Sequence, residues 1–445
     1  MTTPNTTRPR LSVIGTGYLG ATHAVCMTEL GFDVIGVDVD ERKIATLSSG
    51  EVPFYEPGLD ELLRKCLATG RLRFTTSYEE AAAFADIHFI CVGTPQKGGE
   101  YAADLSYVDA AIESLAAHLD RRTLVVGKST VPAGTAARIA VELPRLSPAG
   151  DQVELAWNPE FLREGFAVDD TLHPDRLVFG VRSEWAEAQL RAAFEPVIAE
   201  GTPVICTDYA TAELVKVAAN SFLATKISFI NAMAEVCEVV GADVTQLADA
   251  LGYDDRIGGK FLRAGLGFGG GCLPKDIRAF MARAGELGAD QALTFLKDVD
   301  AINMRRRART VDLGRELLDG SFRGTTVAAL GAAFKPNSDD TRDSPALDVA
   351  ASVQRQGAQV AVYDPAAMAN ARREQPDLTY AGSTFEACRD VDLVLLLTEW
   401  TEFREMDPEA LGKVVSRRNI VDGRNALDPA VWRAAGWKYR ALGRP

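Results

Sequence analysis

The first apolar run of the chain, RLSVI at residues 10–14, is too short for a helix and predicts a buried strand. Gly15, Thr16, Gly17, Tyr18, Leu19 and Gly20 follow it, then helical spacing to about Leu30, then a second strand, DVIGVD, that closes on Asp38. Further strand signals stand at ADIHFICVG (85–93), RTLVVGKST (122–130) and VELAWNP (153–159), with helical stretches between several of them. That alternation predicts a mostly parallel sheet of about six strands over the first ~200 residues.

The pattern changes at about Thr207. From there to Val240 it is helical, with neither Gly nor Pro inside, and Gly241 is the expected stop. Asp243, with Gln246 three residues on, reads as the start of another helix, and a further long helix is expected over much of 291–319. Helices of this length between α/β segments predict a connector; a dimer surface and packing within one chain both remain open. Strand signals return at TTVAALGAAFKP (325–336), QVAVYDP (359–365), VDLVLLLTEW (391–400) and NIVDGRN (419–425). The turn after VAALG lacks the full glycine pattern, so this half predicts a related fold with a different ligand. The expected architecture is α/β: two Rossmann-like doubly wound domains, 1–206 and 321–445, joined by a central helical region at 207–320.

Composition narrows the function. A chain of 445 residues is too long for one ordinary core. No apolar run reaches the ~20 residues that span a bilayer. The opening MTTPNTTRPR carries no apolar stretch of the kind a secretory signal needs. Seven cysteines, odd in number and scattered, form neither Cys-x-x-Cys nor a Cys/His cluster, which argues against a disulfide framework and structural metal. A reducing cytoplasm fits. The net charge of −14 disfavours nucleic acid and anionic membrane as partners. An anionic substrate would then need local cations and helix N-termini.

Several groups of residues carry candidate chemistry. Gly15, Gly17 and Gly20 lie between two strands in the Gly-x-Gly-x-x-Gly spacing of a dinucleotide turn, and Asp38 falls where a carboxylate holds ribose hydroxyls, which favours NAD over NADP. Val92-Gly93-Thr94-Pro95 ends a later strand, at the edge where such folds bind ligands. In GFGGGCLPKD (267–276), Cys272 follows three glycines that permit close approach. Lys275 is near enough to favour a thiolate, and Pro274 predicts a helix start just after the sulfur, with Asp276 in its first turn. An inert buried thiol is the ordinary state of a lone cysteine, but these surroundings point to a nucleophile. Lys216 and Asn220, four apart, share one helix face among apolar neighbours and suit an oxyanion. Glu160 and Glu164 flank Phe161-Leu162-Arg163 and could hold water or accept protons; a surface ion pair is the competing reading. Thr130 ends a strand, where it could orient water or serve as a turn residue. Arg256, Lys335, Arg342 and Arg424 are candidate phosphate or ribose contacts.

Taken in order, GTGYLG (15–20), STVP (129–132), NPEFLREG (158–165), KVAAN (216–220), YDDRIG (253–258), GFGGGCLPKD (267–276), FKPNSDDTRDSP (334–345) and DGRN (422–425) make the chain resemble the UDP-glucose 6-dehydrogenases of the UDP-glucose/GDP-mannose dehydrogenase family over almost its whole length. The resemblance implies a four-electron oxidation of UDP-glucose to UDP-glucuronate with two NAD, by way of a thiohemiacetal and a thioester on Cys272. It implies catalytic roles for Lys216, Asn220, Asp276, Thr130, Glu160 and Glu164. It places Gly15, Gly17, Tyr18, Leu19, Gly20, Asp38, Lys43, Thr94, Thr130, Glu164, Lys275 and Arg342 at the cofactor. It places Glu160, Phe161, Leu162, Arg163, Lys216, Asn220, Phe261, Leu262, Gly265, Gly267, Gly269, Phe334, Lys335 and Arg424 at the sugar nucleotide, with Arg256 reaching the site of a neighbouring subunit in a homodimer. Arg263 and Ser338 depart from the Asn and Thr that many members carry. A dehydrogenase of UDP-N-acetylmannosamine or GDP-mannose, and a nucleotide-sugar sensor without turnover, are the alternative readings.

Overall fold

Residues 8–445 are described by a computed structural model. The chain forms two compact units. One runs through Ala219 and includes Arg278–Arg283; the other comprises Asn220–Ile277 and Ala284–Pro445.

In the first unit the strands are β1 (Leu11–Ile14), β2 (Val34–Val37), β3 (Leu72–Thr75), β4 (Ile87–Ile90), β5 (Thr123–Gly127), β6 (Val153–Trp157), β7 (Leu177–Gly180) and β8 (Val204–Thr207). They form one sheet in the order β3-β2-β1-β4-β5-β6-β7-β8, parallel throughout except where β7 runs against β6. Central strands such as β1 are buried on both faces. Leu11 and Val13 pack with Val25, Met27 and Phe89 on one side, and Ile14 with Val108 and Ile112 on the other. Double coverage explains why these strands read as unbroken apolar runs rather than as alternation. Ile14 pairs with Val37 on one side and Ile90 on the other, so the turns that follow β1, β2 and β4 emerge at one edge.

The expectation of about six strands falls short, because β3, β7 and β8 carried no clear signal. β3 and β8 are sheet edges with exposed positions, and β7 is a four-residue run next to charged residues. Strand limits also tighten: the run read over 85–93 pairs only over Ile87–Ile90.

A 32-residue helix, Tyr209–Val240, joins the two units. Gly241, at φ +75°, ends it, and the N–H groups of Gly241 and Ala242 both donate to the Cys237 carbonyl. Asp243 caps the next helix, Val244–Gly252, by accepting from Thr245 N. The long helix expected over much of 291–319 is Phe295–Leu317, preceded by a short 3-10 turn, Asp290–Leu293.

The second unit holds β9 (Thr326–Leu330), β10 (Gln359–Tyr363), β11 (Thr379–Tyr380), β12 (Leu393–Leu396), β13 (Asn419–Asp422) and β14 (Lys438–Ala441), in the order β11-β10-β9-β12-β13-β14. This repeats the order of the first six strands of the other sheet, the doubly wound arrangement. The likeness reaches individual residues. Asp38, just after β2, accepts from Thr16 N in the turn after β1; Asp364, just after β10, accepts from Ala332 N and Ala333 N in the turn after β9. Asp364 also accepts from the indole N–H of Trp400 and is almost fully buried, so it braces its turn from inside. Among the described residues no helix is long and apolar enough to cross a membrane, and no cluster of His, Cys, Asp or Glu could hold a metal ion.

Candidate active site

In the first unit the glycine turn is built as its spacing requires. Gly15 has φ +88°, and a β-carbon there would meet Val92 at about 2.8–3.0 Å. A β-carbon on Gly20 would lie 1.8 Å from the Gly15 carbonyl oxygen. Gly17 is different, because nothing lies within 4 Å of its β position. It stands directly before the helix Tyr18–Glu29, whose unpaired N–H groups and positive dipole suit a pyrophosphate. An open cradle at a helix start, with Asp38 at the end of β2, fits a dinucleotide.

Asp38 accepts from Thr16 N at 2.9 Å, Lys43 Nζ at 2.8 Å and Asp40 N at 3.1 Å. Burial pushes its carboxyl upward, but Lys43 and the backbone donors outweigh that and hold it below the ordinary range. It is therefore ionised at neutral pH and acts as an acceptor. Thr94 Oγ1 donates to the Thr130 carbonyl at 2.7 Å and Ser129 Oγ to the Val92 carbonyl at 2.6 Å, tying the turn after β4 to the turn after β5.

Tyr18, within the fingerprint, donates to Glu56, a buried carboxylate that also accepts from Gly165 N at 2.6 Å and Ala167 N at 2.7 Å. The segment that holds Arg163 and Glu164 is thus anchored to the glycine turn. Burial, then the Glu56 carboxylate, raises the Tyr18 phenol far above its usual range, so it stays a donor. Arg163 forks onto Asp170, at 2.9 and 2.6 Å. Glu160 accepts from Phe161 N, Leu162 N and Lys128 Nζ, and Lys216 Nζ stands 5.4 Å from the centre of the Phe161 ring.

The second unit gathers the residues around sulfur. Cys272 is exposed and directly precedes the helix Leu273–Glu286, as Pro274 predicted, and its carbonyl accepts from Asp276 N. Asp276 is almost fully buried. One carboxylate oxygen takes Asn220 Nδ2 at 2.6 Å and the other Lys275 Nζ at 2.7 Å. A buried carboxylate would be costly alone, and these two donors offset its desolvation. Lys275 therefore faces Asp276, which sequence reasoning did not anticipate.

The glycines before Cys272 are tightly surrounded, Gly269 by backbone and Gly270 by a ring, whereas Gly271 meets only the tip of a flexible arginine. A β-carbon on Gly269 would strike the Asp343 carbonyl at 2.3 Å, one on Gly270 the Phe334 ring at 2.8 Å and one on Gly271 the Arg342 guanidinium at about 2.4–2.6 Å. Arg342 is forked onto Asp340, which also accepts from Gly271 N. Gly267, at φ +102°, lies against Asn303, whose amide closes a two-way pair with the Phe268 backbone. Gly265 N donates to Asn231, Leu262 is buried, and Phe261 sits at φ +66°. Arg424 donates to three carbonyls, of Leu397, Gly267 and Phe334, each at 2.8–2.9 Å. Its guanidinium holds three walls of the loop cluster together. Lys335 Nζ stands 5.3 Å from the Phe334 ring, and Arg256 is 88% exposed beside Asp254.

Comparison with known proteins agrees with this layout. Family models match in chain order: the NAD binding domain of the UDP-glucose/GDP-mannose dehydrogenase family at residues 9–198, its central domain at 210–305 and its UDP binding domain at 328–429. The chain belongs to the UDP-glucose/GDP-mannose dehydrogenase family. It is 42% identical to the UDP-glucose 6-dehydrogenase of Rhizobium meliloti (strain 1021), over 98% of this chain and all of that one. It is equally identical to UDP-glucose 6-dehydrogenase TuaD of Bacillus subtilis (strain 168), over 98% and 93%. A UDP-glucose dehydrogenase structure from Pyrobaculum islandicum aligns over the full length of both chains with a TM-score of 0.91 and 38% identity. A UDP-D-ManNAc dehydrogenase structure from Pyrococcus horikoshii aligns over 98% of this chain and 99% of that one, with a TM-score of 0.86 and 28% identity. The chain is thus an NAD-dependent dehydrogenase of this family.

Four residues that brace this family's motifs here had no signal strong enough to single them out: Glu56, Lys128, Asn303 and Asp340. Glu56 and Asn303 lie in stretches without a motif, and Lys128 and Asp340 stand beside motif residues. Lys128 was the most legible, as a lysine at the end of the apolar strand run RTLVVG.

Proposed function

We propose that this dehydrogenase oxidises UDP-glucose to UDP-glucuronate through a thioester on Cys272. The carrying observation is the arrangement at the start of the helix Leu273–Glu286. An exposed thiol precedes the helix, and a buried carboxylate four residues on is held by Lys275 and Asn220. The 42% identity to enzymes named UDP-glucose 6-dehydrogenase supports the choice of sugar.

When bound, NAD supplies the acceptor for one hydride in each of two oxidations. The C6 alcohol loses a hydride and a proton to become an aldehyde. Lys216 and Asn220 stabilise negative charge on its oxygen. Sγ of Cys272 adds to the carbonyl carbon, and the helix N-terminus favours the thiolate that does so. The C–S adduct loses a second hydride and a second proton to give the thioester. Water, assisted by Asp276, displaces sulfur and releases the carboxylate and a third proton. Thr130, Glu160 and Glu164 hold water and sugar. Gly15, Gly17 and Gly20 with Asp38 hold the dinucleotide, and the 261–269 loop, Phe334 and Lys335 hold the uridine diphosphate side.

The protein acts in the cytoplasm as a homodimer. Phe222, Phe229 and Val236 recur every seven residues along the helix Tyr209–Val240, all exposed, which supports a helix-borne subunit contact.

The test is stoichiometry. Two NADH should form per UDP-glucose, and Cys272→Ser should yield no UDP-glucuronate. One NADH per sugar with aldehyde released would defeat the thioester route. Across UDP-glucose, UDP-N-acetylmannosamine and GDP-mannose, kcat/KM should favour UDP-glucose by about 100-fold or more, since a site built for one set of hydroxyls rejects analogues strongly.

A further inference from the structure

Lys128 follows β5 and is only 4% exposed. An ammonium in that position is costly unless it is paired. Its nitrogen donates to Asn158 Oδ1 at 3.0 Å, lies 3.0 Å from Glu160 Oε2, and stands 5.7 Å from the centre of the Phe194 ring. The other Glu160 oxygen accepts from Phe161 N at 2.6 Å and Leu162 N at 2.8 Å. Asn158 in turn donates to the Val178 carbonyl. Residues 158–163 form neither helix nor strand, so their path depends on such side-chain tethers. A chain of contacts therefore runs from β5 through Lys128 and Glu160 to the backbone of Phe161 and Leu162, and the Phe161 ring lies beneath Lys216 Nζ.

We propose that Lys128 is a positioning residue, acting through Glu160, for the loop that presents Phe161 and Leu162 beside Lys216. The inference rests on the dehydrogenase reading above. A hydrophobic residue would fill this buried position at less cost, whereas the ion pair fixes where one carboxylate points. Burial is the strongest influence on the Glu160 carboxyl and pushes it upward; Lys128 first and Lys216 after it reverse this and hold it below its ordinary value. The other titratable groups facing the pair are unionised. His23 is kept neutral by burial and by Lys128, the Cys91 thiol is pushed up to about 12 by burial, and burial raises the Cys26 thiol further.

The experiment compares wild type, Lys128→Met, Glu160→Gln and the double variant, each checked for folding by thermal melting. Lys128→Met should lower kcat/KM for UDP-glucose by about 100-fold, the scale of a misplaced contact. Its NAD dissociation constant should stay within about twofold, because the fingerprint turn is not involved. Without Lys128 the Glu160 carboxyl rises, so the acidic limb of the pH–rate profile should move to higher pH; a purely structural role would leave that limb in place. The double variant removes both charges of the Lys128–Glu160 pair and should fold even if Lys128→Met does not. If Lys128 works through Glu160, the double variant should match Glu160→Gln within about threefold. A folded Lys128→Met with the wild-type pH profile and kcat/KM overturns the proposal. So does a double variant more than about tenfold below Glu160→Gln. Absence of NADH formation by wild type would instead strike the dehydrogenase reading.

Discussion

Asp38 illustrates how one carboxylate braces a turn and stays charged for the dinucleotide proposed above. Its bonds to Thr16, Asp40 and Lys43 brace the glycine turn, and its charge survives burial because Lys43 is 2.8 Å away. A carboxyl depressed in the folded state contributes stability above its unfolded value of about 4, and that contribution disappears as pH falls through the lower folded value. Asp38→Asn should therefore flatten the acid side of the stability curve. Between about pH 5 and 3, the slope of unfolding free energy should fall by up to about 1.4 kcal/mol per pH unit, one proton's worth. Chemical denaturation of the cofactor-free protein across that range measures it, and an unchanged slope would contradict this account. In the other unit Asp276 has both carboxylate oxygens committed, to Asn220 and Lys275.

At the level of elements, the fingerprint glycines separate into two kinds. Gly20 permits contact between turn and helix, since its β-carbon would overlap backbone at 1.8 Å. Gly17 faces open space, so its lack of a side chain has no packing role and leaves room for the dinucleotide proposed above. Gly20→Ala should destabilise the protein by about 3 kcal/mol or more, as overpacking against backbone does. Gly17→Ala should melt within about 2 °C of wild type, as at a site with no packing role, yet bind NAD at least about tenfold more weakly. Calorimetric melting and NAD titration distinguish the two, and a Gly17→Ala protein with normal affinity would remove the glycine from the cofactor site. Gly269 belongs to the first kind, because its β-carbon would strike the Asp343 carbonyl, and Gly270 is walled by the Phe334 ring.

For the molecule as a whole, the helix Tyr209–Val240 raises the question of assembly. Its exposed Phe222, Phe229 and Val236 are a poor face to leave in water. Phe222→Glu with Phe229→Glu should convert a dimer to monomers in sedimentation without unfolding the chain, since both side chains are already exposed. A wild-type monomer at micromolar concentration would end the dimer reading. The two halves also differ in how their carboxylates are spent. Asp38 stands at an open turn, whereas Asp364 is sealed by Trp400, which accords with the missing glycine pattern after VAALG.

Local pattern was enough for elements whose signal lies in neighbouring residues. The strand–turn–helix around Gly15–Gly20, the stop at Gly241, the cap at Asp243 and the helix start at Pro274 are all set by short-range sterics and backbone hydrogen bonds, which composition states directly. Edge strands such as β3 and β8 escaped because half-exposed residues lose the apolar run that marks a buried strand. Only the tertiary structure decided the partners: Asn220 to Asp276, Lys128 to Glu160, Arg424 to three carbonyls, Tyr18 to Glu56. The physical reason is that a side chain's charge is written in the sequence, but the group that compensates its burial lies wherever the fold brings the chain back, up to a hundred or more residues away.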